Sequence, residues 1–127
     1  MKIFSLDSSA LIAYVFSECG AENSSKYLYN SIMSSVIYSE YFSLMLERGF
    51  SNEDIYELIE SFKIEIIDFD EEQAVIAAEL RSKTKSKGLS LGDRACLALA
   101  ITKKIPVVTA DKIWSKLNVG VDIKLIR

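Results

Sequence analysis

Asp7 is the first residue whose placement asks for a chemical reason. In "IFSLDSSAL" the apolar side chains Ile3, Phe4 and Leu6 lead into a carboxylate and then into what reads as a helix. Asp111 in "IPVVTADKIW" repeats the arrangement, an acid just after an apolar run. If both runs are strands of one parallel sheet, both acids reach its carboxyl edge, where such sheets bind ligands. Asp93, in "GLSLGDRACLALA", opens a further apolar segment. Each of the three also has an ordinary structural reading. Asp7 before Ser8 and Ser9 can cap a helix, Ser90 to Asp93 fits a capping box, and Asp111 can fix a turn. Glu40 is different, because it falls within the apolar helical stripe of Val36, Ile37, Tyr41, Leu44 and Met45. A carboxylate buried there without a partner is costly or becomes protonated. Lys26, Arg48 and Lys63 are the only basic residues between Lys2 and Arg81, so a bound cation is the better candidate partner.

Taken together, four carboxylates converging within about 5 Å would repel by roughly 3 kcal/mol per pair at an effective dielectric near 20. A divalent ion resolves that conflict. The chain has no histidine, and an all-oxygen ligand set selects magnesium or manganese over zinc or copper.

The elements that must position these acids follow from periodicity. Strands are expected at Lys2 to Leu6, Ser31 to Ser35, Lys63 to Phe69, "IPVVTA" and "VDIKLI". Helices are expected at Ser8 to Ser17, Ala21 to Tyr29, Val36 to Arg48, from the cap Ser51 to Phe62, Asp70 to Lys85, and Ser90 to Lys103. Ser34 or Ser35 caps the third helix and Gly49 stops it. Strands alternating with helices give an α/β class: three layers, α/β/α, around a mainly parallel sheet of about five strands.

At 127 residues and 50% hydrophobic, the chain suits one domain spanning 1–127. No stretch reaches the roughly 18 apolar residues of a membrane span, and the start enters a strand rather than a signal peptide, which reads as cytoplasmic. Cys19 and Cys96 have no metal-type spacing and read as buried, reduced thiols. The net charge of -3 conceals an asymmetry. Residues 1–80 carry 4 Lys/Arg against 15 Asp/Glu, whereas residues 81–127 carry 11 against 3. Setting the four acids aside leaves +1, so overall acidity is no strong argument against a polyanionic partner.

In order and context, "LDSSALIAY", "SSVIYSE", "GLSLGDRACLALA" and "TADKIW" resemble the acidic quartet of PIN-domain nucleases, above all the VapC-type toxins of type II toxin-antitoxin pairs. The resemblance spans nearly the whole chain. It implies a metal-dependent endoribonuclease that acts on structured RNA as a homodimer and is inhibited by a VapB-like antitoxin. Asp7, Glu40, Asp93 and Asp111 match the family's catalytic, metal-holding acids; Ser9 and Thr109 match supporting hydroxyl positions. Tyr38 and Tyr41 are bulkier than the aliphatic residues expected around Glu40. The implied cofactor is magnesium or manganese, and the implied products are a 5'-phosphate and a 3'-hydroxyl. Arg81, Lys83, Lys85 and Lys87 of "RSKTKSKG", with Arg94, would neutralise RNA phosphates; a solvated helix end is the plainer reading of the same lysines. Trp114, Tyr14, Tyr27 and Tyr29 could stack on bases, with core or dimer packing the favoured alternative.

Three other readings remain. A phospho-receiver domain would open with paired acids, whereas Asp7 is followed by Ser8 and Ser9. A phosphatase of the haloacid dehalogenase type would want an acid at position 9, where Ser9 stands. A non-catalytic interaction module would use the acids as caps and the helices at Ala21 to Tyr29 and Ser51 to Phe62 as a partner groove.

Overall fold

A computed structural model describes residues 2–127; Met1 lies outside the described residues. Five short strands, β1 (Phe4–Leu6), β2 (Ser31–Ser34), β3 (Glu65–Ile67), β4 (Val107–Thr109) and β5 (Ile123–Leu125), form one sheet in the order β3-β2-β1-β4-β5. Every pairing is parallel. Six helices flank it: α1 (Ser8–Val15), α2 (Ala21–Leu28), α3 (Ser35–Glu47), α4 (Asn52–Ser61), α5 (Glu71–Thr84) and α6 (Leu91–Lys103). This is the expected three-layer α/β/α arrangement. The order sets aside the phospho-receiver reading, whose doubly wound sheet runs 2-1-3-4-5. None of the helices among the described residues is long and apolar enough to cross a membrane.

Local chemistry explains where the elements begin and end. Ser34 caps α3 by accepting from the Val36 amide at 3.3 Å, while the Ser35 hydroxyl instead accepts from Phe69 N at 3.0 Å. Ser51 and Asp70 cap α4 and α5 through the Asp54 and Gln73 amides. α1 stops short of the expected Ser17 because that residue is left-handed, with φ 53°. β3 starts two residues later than expected because Lys63, also at φ 53°, turns the chain first. A 3-10 turn at Lys85–Lys87 was not anticipated, and a second at Lys112–Lys116 is the turn that Asp111 was read as able to fix.

The core runs through Leu6, Leu11, Ile37, Tyr41, Leu97, Val107 and Val108, all fully buried. Trp114 is fully buried with them, so it packs rather than stacks on a base, and Tyr27 meets Phe4 edge to face. Tyr14 and Tyr29 meet Phe62 in the same manner. The larger tyrosines beside Glu40 are also accommodated: Tyr41 fills the core and Tyr38 packs edge-on against Phe42. Both cysteines are free, but only Cys96 is buried; Cys19 is exposed, because α1 has ended by then and the chain turns at the surface toward Gly20.

Candidate functional site

The order of the sheet fixes where a site can form. The chain winds outward from β1 through β2 to β3, then returns to place β4 on the other side of β1. The reversal leaves a crevice beyond the carboxyl ends of β1 and β4. Leu6 is paired with Val108, so Asp7 and Thr109, each one residue further on, emerge side by side. The Asp7 amide donates to Val108 O at 2.9 Å, and the Thr109 hydroxyl donates to Asp7 Oδ2 at 2.8 Å. Ser9, one helical step into α1, donates to the same oxygen at 2.5 Å and accepts from the Ala110 amide at 2.9 Å.

Asp7 is 5% exposed, and its side chain makes no capping hydrogen bond to α1. Its carboxylate is thus turned away from the structural role its sequence position offered. Burial pushes its pKa above the ordinary 3.8. The Ser9 and Thr109 hydroxyls and the nearby Ser8 amide pull it back, and the charge of Asp93 raises it further.

Asp93 does adopt its capping role. Ser90 Oγ accepts from the Asp93 amide at 3.2 Å and Asp93 Oδ2 accepts from the Ser90 amide at 3.0 Å, a complete capping box at the start of α6. One carboxylate oxygen is spoken for, and the other is not drawn into the cap.

Glu40 corrects the sequence reading. The core-facing positions of α3 are Ile37, Tyr41 and Met45, each four residues apart, with Val36 and Leu44 half-buried on the flank. Glu40 shares that flank and is exposed, so burial on the core face is not what demands a partner. Its carboxylate instead lies against Gly92 of α6, where an added Cβ would sit 2.6 Å from Oε1. Partial desolvation raises its pKa, followed by the charges of Asp93 and Asp7. Three acids from three elements thus lie within electrostatic reach of one another.

Asp111 stands apart from this group. It is exposed, and its Oδ1 accepts from the Ile113 amide at 3.0 Å, capping the second 3-10 turn. It joins the others only through Thr109, whose hydroxyl accepts from the Asp111 amide at 3.1 Å.

The donor set of Asp7, Glu40 and Asp93 is all oxygen, and the ion pairs among the described residues, Lys124 with Asp122 and Arg127 with Glu18, supply it no cation. Those are the properties of a site for a hard divalent ion. Among the described residues, no three carboxylate or thiol groups are close enough as placed to hold one ion together.

The expected RNA-contacting residues divide. Arg81, Lys83, Lys85 and Lys87 are exposed at the end of α5 and the following turn. Arg94 does not join them at the surface: it is 9% exposed and its Nη1 donates to Ala77 O at 2.9 Å, tying α6 to α5. One position escaped the sequence reading altogether. Gly92 lies within the first turn of α6, where glycine weakens a helix by up to about 1 kcal/mol relative to alanine, and that penalty was the available signal.

A family model described as PIN domain matches residues 5–120. No curated protein matches the chain by sequence. Among solved structures, the chain is similar to a DNA-bound VapBC from Salmonella typhimurium, with a TM-score of 0.73 and 19% identity over 100% of both chains. It is similar also to a toxin-antitoxin complex from Klebsiella pneumoniae, at 0.76 and 18% identity over 96% of each chain. A third is VapBC2 from Rickettsia felis bound to a promoter DNA fragment, at 0.66 and 21% identity over 94% of this chain and 95% of the other. At these identities the likeness establishes the fold.

Proposed function

Because the chain belongs to the PIN domain family, we propose that it is a metal-dependent endoribonuclease of the VapC type, hydrolysing RNA phosphodiester bonds and held in check by an antitoxin protein. The observation that carries the reading is the gathering of Asp7, Glu40 and Asp93 beyond the carboxyl ends of the strands, with no basic side chain paired to them among the described residues. The similar solved structures are toxin-antitoxin assemblies, which supports the antitoxin as partner. The same reading makes residues 1–127 one nuclease domain, acting in the cytoplasm as a homodimer.

Magnesium or manganese held by Asp7, Glu40 and Asp93 would supply charge neutralisation at the phosphodiester and acidify a water molecule for attack. The chain's own part is to aim the carboxylates. Ser9 and Thr109 both donate to Asp7 Oδ2, which favours the charged form and leaves Oδ1 as the oxygen available to a ligand. The Ser90 amide holds Asp93 Oδ2 in place and leaves its Oδ1 outside the cap. Glu40, exposed at the rim, completes the set by side-chain rotation. Asp111 serves at the edge of the site, orienting water or a second ion, while its backbone amide keeps the Thr109 hydroxyl directed. Arg81, Lys83, Lys85 and Lys87 contribute phosphate contacts along the strand.

The test is incubation of purified protein with total RNA in magnesium, in manganese and in chelator, followed by mapping of cut ends. Chelator-sensitive cuts bearing 5'-phosphates, absent from Asp7→Asn, are expected. Intact RNA in every condition, with antitoxin binding preserved, would favour the non-catalytic interaction module.

A further inference from the structure

Arg94 poses a problem that the acidic site does not answer. It is a guanidinium buried to 9% exposure, its Nη1 is bonded to the Ala77 carbonyl, and its Nε has no partner among the described residues. No carboxylate pairs with it among the described residues. A buried charge is tolerated when an opposite charge or a set of hydrogen bonds compensates it, and one neutral carbonyl is meagre compensation.

The surroundings of Arg94 add positive charge. It lines a cleft of about 230 Å³ together with Arg81, Thr84, Lys85, Gly88 and Leu89. Gly88 is left-handed, φ 68°, and this reversal folds the end of α5 back toward the start of α6 so that Lys85 and Arg94 share the cleft. Thr84 is buried and its hydroxyl donates to Leu80 O at 2.9 Å, which fixes that wall. The acids nearest in sequence are engaged or turned elsewhere: Asp93 Oδ2 accepts from the Ser90 amide, and Glu79 lines a separate cleft with Lys83. Three cations therefore border a hollow too small for a drug-sized ligand but ample for an oxyanion.

We propose that this cleft seats a backbone phosphate of the bound RNA strand, gripped by Arg94, Arg81 and Lys85. Guanidinium groups match a phosphate's paired oxygens with two donors at once. Lys87, exposed two residues past Lys85, adds a further cation beyond the cleft, which suits a polymer of phosphates better than a single terminal carboxylate. Arg94 follows Asp93 on α6 but faces α5 rather than the acids, since successive helix residues point different ways, so the seat would hold a phosphate other than the one being cleaved and fix the register of the strand. The proposal rests on the nuclease reading above, and it separates the five expected RNA contacts into a built seat and two peripheral lysines.

The experiment measures binding of a fluorescent single-stranded RNA by anisotropy, in chelator, across a series of salt concentrations. Wild type is compared with Arg81→Ala/Lys85→Ala and with Lys26→Ala/Lys103→Ala, which removes two exposed charges elsewhere. The first pair is expected to weaken binding by about tenfold and to reduce the slope of log affinity against log salt by about 0.7, the value for one phosphate contact on a single strand. Inorganic phosphate at constant ionic strength should raise the thermal midpoint of wild type and of the control pair, but not of Arg81→Ala/Lys85→Ala. Equal affinity, slope and phosphate response in both double variants would overturn the seat. If that happens while wild type still cleaves RNA in magnesium, the seat alone has failed; if wild type neither binds nor cuts, the nuclease reading has failed with it.

Discussion

Substitution of Gly92 by alanine separates folding from function with a single methyl group. The added Cβ would lie 2.5 Å from Glu40 Cδ and 2.6 Å from Oε1, and closer still to Oε2, where ordinary contact begins at 3.4 Å. The carboxyl carbon must therefore retreat by about 0.9 Å, the difference between 3.4 and 2.5 Å, and Oε2 by more. The retreat costs the fold little, because the displaced atoms are the end of a flexible, exposed side chain. Alanine also favours the helix by up to about 1 kcal/mol, so the thermal midpoint should hold or rise by roughly 3–5 °C. Function should suffer, since a misplacement of about 1 Å in a catalytic constellation costs on the order of 100-fold in rate. RNA cleavage in magnesium, manganese affinity by calorimetry and thermal melting together check this. If the loss runs through Glu40, adding Gly92→Ala to Glu40→Gln should do no further harm. Cleavage by Gly92→Ala within about threefold of wild type would refute the reasoning, because Glu40 would then have no fixed post to lose.

Other substitutions probe the remaining acids. The folded-state pKa of Asp7 is raised, chiefly by burial, so its contribution to stability is present below the ordinary 3.8 and lost as pH rises through the raised value. In chelator, Asp7→Asn should therefore melt higher than wild type at neutral pH, by roughly 3–5 °C if about 1 kcal/mol is recovered, with the gain vanishing in acid. Asp93→Asn should do the reverse, losing about 1 kcal/mol with the charged half of its capping box, and melting curves of both variants settle the contrast. Thr109→Val deletes the hydroxyl that stabilises ionised Asp7, so the acid limb of the cleavage profile should move to higher pH and stability should drop by about 1–3 kcal/mol. Asp111→Asn keeps a good cap for the second 3-10 turn, so its melting should be unchanged while cleavage falls if the carboxylate serves the site.

Much of the architecture could be read from one sequence because each element carries its own punctuation. Ser34, Ser51 and Ser90 each place a side-chain oxygen where a helix begins and make the expected capping bond, and Asp70, read only as a helix start, caps α5 in the same manner. Errors gathered where a residue took a conformation its type does not advertise. Ser17 and Lys63 are left-handed without being glycine or asparagine, so the end of α1 and the start of β3 shifted. Asp111 fixes a turn through its side chain, as its type suggested, but the 3-10 form of that turn is too short to leave a helical periodicity.

The acids were legible as positions but less so as environments. Periodicity put Glu40 on the apolar stripe of α3, yet the buried row is the strict four-residue series of Ile37, Tyr41 and Met45, and Glu40 lies beside it. Its neighbour across the gap, Gly92, is 52 positions away in the chain, a relation that no local pattern contains. Asp7 and Asp93 looked alike in sequence, each an acid at a helix start, and the structure gives them opposite energetics. Asp93 is fastened by the Ser90 amide and supports its helix. Asp7 has its oxygen turned to the Ser9 and Thr109 hydroxyls, makes no cap, and stays buried at a raised pKa. A carboxylate that spends stability where a cap was available is what the proposed metal site would call for. The same logic extends to Arg94, a buried cation with no counter-ion, 87 residues further along the chain and adjacent to the other acid. A buried carboxylate at a raised pKa and a buried guanidinium without an ion-pair partner among the described residues are what a fold would keep if the first were to meet a metal and the second a phosphate.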